Sequence, residues 1–211
     1  MSGKDASWTI CHSTISPNST VYSLGVGEDI SFDLELIRRF GVTVHAFDPT
    51  PRTVKWIKAQ PIPSGFVFHP FGVGALDGMC RFLPPRNPRH VSHKLVSRDA
   101  PGAAVELPVH RLRTILRMLG HERIDLLKMD IEGAEYEVIR DLLDSGISVG
   151  QLLVEFHHRW REVGIEMTRK TIGALNDAGY QIFNVSSRGD EYSFLNPSHS
   201  SPMSDSRPVS T

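Results

Sequence analysis

The stretch Ile124–Ile139, IDLLKMDIEGAEYEVI, limits what this chain can fold into more than any other. Ile124 to Met129 is short and mostly apolar, as a strand buried on both faces of a parallel sheet should be. It runs directly into Asp130, Glu132 and Gly133. A helical stripe follows at once, with Ala134, Val138, Ile139, Leu142 and Leu143 on one face and Gly146 as the stop. A strand-to-helix turn of this kind lies at the carboxyl edge of its sheet, where open α/β sheets bind their ligands. Core packing does not explain two carboxylates there, so the turn is the expected chemical centre.

The rest of the chain repeats the strand-helix alternation. Strands are expected at Val21–Val26, Thr43–Phe47, Phe66–Phe68, the central segment and Gln151–Phe156. Helices are expected from Ile30 to Gly41, from Pro51 to about Ala59, over Leu112–Leu119 and over Thr168–Ala178. Tyr180–Val185 and Glu191–Leu195 read as a closing hairpin through Ser187-Arg188-Gly189-Asp190. Alternation of this kind gives an α/β, doubly wound, mostly parallel sheet with right-handed crossovers, and the hairpin adds an antiparallel strand. Met79–Leu83 reads as an antiparallel strand after the Asp77-Gly78 turn, and Val105–Val109 as a later strand.

Three segments stand apart. Residues 1–20 form a polar N-terminal arm, with Trp8 and Ile10 able to anchor it on the 21–195 domain. Residues 84–104 form a long basic loop, and long loops of this kind often serve as lids or binding loops. Its Arg86, Arg89, His90, His93, Lys94 and Arg98 suit a hydroxyl-rich or anionic substrate. Residues 196–211 are rich in serine and proline and almost free of apolar side chains, the composition of a disordered tail.

Composition narrows the function. A chain of 211 residues with 40% hydrophobic and 22% charged residues makes one soluble domain. A net charge of −1 supplies no basic field for nucleic acid. Cys11 and Cys80 make neither a disulfide framework nor a thiolate metal site, and no apolar run is long enough to span a bilayer. The expectation is a cytoplasmic protein with no membrane partner, of undetermined oligomeric state.

Gly25-x-Gly27 after the first strand lets backbone approach a ligand closely, and Asp48 ends the second strand 48 − 27 = 21 residues later. A carboxylate at that spacing can accept hydrogen bonds from ribose hydroxyls. Together they point to a nucleoside-containing cofactor. Taken alone, Gly-x-Gly could be a tight turn, and Asp48 could cap the helix after Pro51. The third glycine of a dinucleotide fingerprint falls on Ile30, which does not suit a pyrophosphate. S-adenosylmethionine carries a ribose and an adenine without phosphate.

Three segments resemble the FkbM-type, S-adenosylmethionine-dependent methyltransferases: Tyr22-Ser23-Leu24-Gly25-Val26-Gly27-Glu28-Asp29-Ile30, Phe47-Asp48-Pro49-Thr50-Pro51 and Leu127-Lys128-Met129-Asp130-Ile131-Glu132-Gly133-Ala134-Glu135. The likeness spans roughly residues 20–185. It implies a Rossmann-like class I methyltransferase fold, with seven strands of which the last hairpin strand is antiparallel. It implies cofactor binding by Ser23, Gly25, Gly27, Glu28, Asp29, Asp48, Gly72, Val73 and Asp130. Two positions depart from the wider class I pattern. The acid expected two residues before the first glycine is Ser23, so Glu28 or Asp29 would have to hold the cofactor's ammonium. The acid that often meets adenine is missing from Phe71-Gly72-Val73-Gly74, which leaves backbone groups or Asp77.

Asp130, Glu132 and His157 are the candidate catalytic residues. Asp130 is either the base that takes a proton from an acceptor hydroxyl or the group that holds the cofactor's ammonium. Glu132 orients substrate or favours the helix N-terminus by its charge. His157 is the second candidate base. These three could jointly hold a divalent cation, although their spacing is no specific metal signature. The expected activity is O-methylation of a hydroxyl on a sugar or small metabolite, with a small-molecule or glycan acceptor. The competing readings are a Rossmann-type nucleotide-binding oxidoreductase and a non-catalytic, methyltransferase-like binding module.

Overall fold

The computed structural model describes residues 8–83, 94–96, 104–160 and 163–199. The loop residues Arg86, Arg89, His90, His93 and Arg98, the Lys94 side chain, residues 1–7 and residues 200–211 lie outside that part. In chain order the elements are β1 (Thr20–Leu24), α1 (Ser31–Phe40), β2 (Thr43–Phe47), α2 (Pro51–Ile57), β3 (Phe66–His69), β4 (Gly72–Val73), β5 (Gly78–Leu83) and β6 (Lys94–Val96). They continue with β7 (Val105–His110), α3 (Leu112–Leu119), β8 (Ile124–Met129), α4 (Glu135–Asp144), β9 (Val149–Glu155), α5 (Ile165–Asp177), β10 (Gln181–Val185) and β11 (Glu191–Leu195).

Seven strands form the main sheet in the order β10-β11-β9-β8-β1-β2-β3. β3, β2, β1, β8 and β9 run parallel, and β11 pairs antiparallel with both β9 and β10. The order reverses between β1 and β8, which therefore flank the switch point where a doubly wound sheet opens a crevice. Strand alternation sorts the two faces. Tyr22, Leu24, Leu127, Met129 and Leu152 pack with α3, α4 and α5. Val21, Val44, Leu126 and Leu153 pack with Leu36 of α1, and Ala46 packs with Ile57 of α2. Complete burial of each large aliphatic side chain contributes roughly 1.5–3 kcal/mol, so the sheet is held firmly from both sides. No helix among the described residues is long and apolar enough to cross a membrane.

Several boundaries differ from the sequence reading. β1 stops at Leu24 rather than Val26, because Gly25 turns the chain at φ 73°. Gly72–Val73 is not only a turn: it pairs with β7 as one edge of a separate four-stranded sheet, β4-β7-β5-β6. Part of the expected 84–104 loop is also strand, since Lys94–Val96 pairs antiparallel with Arg81–Leu83. Of the expected tail, Asn196–His199 is in place against the sheet. His199 Nε2 lies 2.8 Å from Asp125 Oδ1 at the amino end of β8, and its Nδ1 lies 2.8 Å from Ser148 Oγ. The arm before β1 lies on the α1 side, where Trp8, Ile10 and Ile15 pack around Leu36 and Val42.

Candidate active site

A cleft of about 650 Å³, counting its open mouth, lies at the carboxyl edge of β1, β2 and β8. Its geometry begins with Gly25. A side chain there would place Cβ 1.7 Å from the carbonyl oxygen of Asp130, so only glycine lets β1 and β8 part this closely. The Asp130 amide extends the ladder onto Leu24 O at 3.1 Å, and the Gly25 amide bonds Phe47 O at 2.9 Å. The loop is fastened from below by Lys128, whose Nζ donates to Gly25 O at 3.0 Å and lies over the Trp8 ring.

Asp48 forms the cleft's second wall. Its Oδ2 accepts from the Gly27 amide at 3.0 Å, and its Oδ1 accepts from the Thr50 amide at 2.9 Å and hydroxyl at 2.6 Å. It both braces the glycine loop and holds Thr50, the residue that precedes α2. A carboxylate has about four acceptor sites, so these three internal donors leave room for about one ribose hydroxyl rather than two.

The acid turn forms the third wall. Glu132 sits at φ 55° and Gly133 at φ 94°. A left-handed backbone costs a non-glycine residue roughly 1–2 kcal/mol, and such strain concentrates at functional sites. The turn is held by Glu135, which is fully buried. Its Oε1 accepts from the amides of Ile131 and Gly133, both at 3.1 Å, and from His157 Nδ1 at 2.9 Å. That fixes the ring, so His157 Nε2 faces Glu132 at 3.4 Å and Asp130 at 3.8 Å. Trp160 packs on the His157 ring with centroids 4.7 Å apart and closes the turn from outside.

Electrostatics sorts the candidates. Burial alone would discharge His157, but Glu135, Glu132 and Asp130 outweigh it and raise its pKa to about 9. At neutral pH His157 is therefore an imidazolium, a donor rather than the second base that its position suggested. Gly25, Gly27, Asp48 and Asp130 line the cleft, and so do Gly72, Val73 and Glu132. Ser23, Glu28, Asp29 and His157 do not. The Ser23 side chain lies toward α1, where its buried hydroxyl faces the buried Asp33 carboxyl. Burial raises the Asp33 carboxyl to about 6 against the opposing pull of the Lys128 ammonium. Glu28 is clamped by Arg52 through two bonds of 2.7 Å. Asp29 accepts from the Ser31 amide at 2.9 Å and is turned to the start of α1. The proposed stand-ins for the acid missing at Ser23 are therefore outside the cleft. Ile30 packs into the core with Val26 and Ala46 instead of reaching the ligand side. Asp77, the other acid considered for adenine, bonds the Arg111 amide and the Thr114 hydroxyl at the start of α3.

The sequence reading missed Glu135 as a site residue. It is legible as an acid in the first turn of a helix, able to reach back to the amides before it.

A doubly wound sheet with a Gly-x-Gly loop at its switch point, an acid ending the second strand and an acid turn ending the fourth parallel strand defines a Rossmann-like fold of the methyltransferase type. Residues 16–182 match the family model described as "Methyltransferase FkbM domain", and the chain belongs to that family. Among curated proteins it is 26% identical over 164 residues to the human "Probable methyltransferase-like protein 24" and 27% identical to the rat protein of that name. These matches cover 72% of this chain but 38% and 39% of the two relatives, so the chain spans about two-fifths of their length. Among solved structures, Aeropyrum pernix fibrillarin in complex with natively bound S-adenosyl-L-methionine aligns at TM-score 0.47 and 12% identity. That alignment covers 86% of this chain and 67% of the archaeal one.

Proposed function

We propose that this domain transfers a methyl group from S-adenosylmethionine to a hydroxyl oxygen of a sugar or other small polar metabolite. The charge of the cleft carries this reading. Among its described lining residues are three carboxylates, Asp48, Asp130 and Glu132, and no lysine, arginine or histidine. A pyrophosphate cofactor would meet acids with no cation to balance it, whereas a ligand bearing a sulfonium and an ammonium is matched. This charge argument, rather than Ile30, disfavours the dinucleotide-dependent oxidoreductase.

The residues fit such a donor. Asp48 and the Gly27 loop would hold ribose, the Gly72–Val73 backbone would border the adenine end, and Asp130 with Glu132 would face the amino-acid tail and the acceptor. The bound donor supplies an electrophilic methyl group on sulfur. The protein's part is to place an acceptor oxygen in line with that group and to receive its proton. Asp130 is the group in the cleft suited to take that proton. The His157 imidazolium lies 3.8 Å from the Asp130 carboxylate and faces it across the turn. Glu132, held by its strained backbone, orients the acceptor.

Incubating the protein with methyl-labelled donor and pools of sugars and small hydroxylated metabolites tests the reading. Label should pass into a hydroxyl acceptor, and Asp130→Asn should suppress it. Transfer only to nitrogen or to protein would replace the acceptor assignment. Tight donor binding with no transfer to any pool would favour a binding module.

A further inference from the structure

We infer, resting on the methyl-donor reading of the cleft, that Lys128 is a positioning residue for the donor-binding loop and that Trp8 acts through it, which makes the N-terminal arm part of the donor site. Lys128 stands where an aliphatic side chain is expected. β8 alternates, with Leu127 and Met129 toward α3 and α4 and with Leu126 and Lys128 toward α1. All six residues of the strand are buried, and Lys128 is 8% exposed. Burying an ammonium is unfavourable unless hydrogen bonds and a counter-charge offset the lost water. A methionine of similar length would fill the same space without that penalty. What the ammonium adds is a bond, from Nζ to Gly25 O at 3.0 Å. Its counter-charge is the buried Asp33 carboxyl of α1, which burial raises and the Lys128 ammonium pulls back.

The bond matters because of where Gly25 sits. Gly25 lines the cleft at the end of β1, with φ 73°. Its amide donates to Phe47 O at 2.9 Å and its carbonyl accepts from Lys128, so both polar groups of the residue are fixed from beneath. The other anchor of the loop, the Gly27 amide on Asp48 at 3.0 Å, lies on the ligand side. Glycine has wide backbone freedom, and a loop that must be ordered at binding binds more weakly than one already in shape. Lys128 supplies that order before the donor arrives.

Trp8 completes the arrangement from the arm. Lys128 Nζ lies 5.5 Å from the centroid of its ring, within reach of a cation–π contact that holds the ammonium in place. The same ring packs on Phe32 of α1, with centroids 6.4 Å apart. The arm has other fastenings. The Gln151 side chain of β9 accepts from the Cys11 amide at 2.7 Å and donates to the Cys11 carbonyl at 3.0 Å, and Ile10 packs with Leu36. Removing the Trp8 ring should therefore leave the arm docked and uncover the ammonium.

Calorimetry of the full chain with S-adenosylhomocysteine tests the coupling. Lys128→Met should weaken affinity about ten-fold, as loss of a charge-assisted bond implies. Trp8→Ala should weaken it about three- to five-fold, while Trp8→Phe, which keeps an aromatic face over the ammonium, should stay within about two-fold of the unaltered chain. The double variant Trp8→Ala, Lys128→Met should bind no more weakly than Lys128→Met alone, because Trp8 then has nothing to act through. Ile10→Ala should lower the melting temperature and leave affinity within about two-fold, since it touches the arm but not Lys128. Unchanged affinity in Lys128→Met, losses that add in the double variant, or equal losses in Trp8→Ala and Ile10→Ala would overturn the coupling. Should Lys128→Met fail to fold, the arm variants decide: a loss in Trp8→Ala, with Trp8→Phe and Ile10→Ala preserved, supports it, and any other order overturns it. An unaltered chain that binds no S-adenosylhomocysteine sinks the donor reading and this coupling together. Binding that ignores Lys128 sinks the coupling alone.

Discussion

Two groups of histidines on the same sheet are driven in opposite directions. His157, at the β9 edge of the cleft, is ringed by Glu135, Glu132 and Asp130 and is held charged up to about pH 9 despite its burial. His45, His69 and His121 lie together beside β2 and β3. His45 Nδ1 is 3.0 Å from His69 Nε2, and His121 meets the Tyr22 hydroxyl at 2.8 Å. Burial lowers all three pKa values, and mutual repulsion lowers His45 and His69 further, His45 to about 4. One side chain type thus serves as a fixed cation in one place and as a neutral aromatic in the other. Burial pushes both toward neutrality, and only the local carboxylates reverse it. What separates the two groups is the set of acids gathered around His157.

The sharpest way to break this contrast is to remove the acid beneath His157. Glu135→Ala leaves two amides and an imidazolium without their acceptor. Breaking a buried pair of this kind costs roughly 3–5 kcal/mol, so denaturant titration should show a large loss of stability or outright failure to fold. A loss near zero would mean that the turn is held by something else.

The next effect is catalytic. Asp130→Asn keeps shape and should keep the fold, but it cannot receive a proton. Turnover should drop by roughly two to four powers of ten with donor affinity little changed. A fall in donor affinity with turnover restored at saturation would reassign Asp130 to the cofactor's ammonium. A smaller effect is expected at Asp48. Loss of a charge-assisted bond to ribose should cost Asp48→Asn roughly 1.5–3 kcal/mol in S-adenosylhomocysteine affinity. Part of any loss would come from the Gly27 loop that Asp48 braces, and adenosine affinity should fall in parallel.

The smallest expected effect concerns the other histidines. Their folded pKa values lie below the unfolded value near 6.5, so the unfolded chain binds more protons as pH falls between about 6.5 and 4. Stability should therefore be full above that window and decline through it. His45→Phe, able to pack beside Tyr22 and Phe47, should flatten the decline. Each kcal/mol is worth about 2–4 °C in melting temperature for a domain of this size, so thermal melts at stepped pH can resolve it. An unchanged profile in the variant would show that another group sets the acid limit.

The sequence carried the main sheet because its signals are local. The Ile124–Met129 run, the Asp130 turn and the stripe of α4 lie within one stretch, and the alternation around them needs no long-range knowledge. What stayed hidden depends on partners distant in sequence. His199 reaching Asp125, Arg52 clamping Glu28, and Ser23 lying against the start of α1 are tertiary contacts with no periodic trace. Of the small β4-β7-β5-β6 sheet, the strands at Met79–Leu83 and Val105–Val109 were legible but their assembly was not, since its parallel pair joins Gly72 to Val109 across the basic loop. At the site, residue types and positions could be read, but charge states could not. Nothing in the string His157-His158 tells that three carboxylates converge on the first of them.

The central claim is that the acidic cleft was built for a cationic nucleoside ligand. Isothermal calorimetry of the unaltered chain with S-adenosylmethionine and, separately, with a nicotinamide dinucleotide tests it most directly. The account expects micromolar affinity for S-adenosylmethionine, on the order of −8 kcal/mol, and no measurable heat from the dinucleotide. Tight dinucleotide binding with none for S-adenosylmethionine would contradict it.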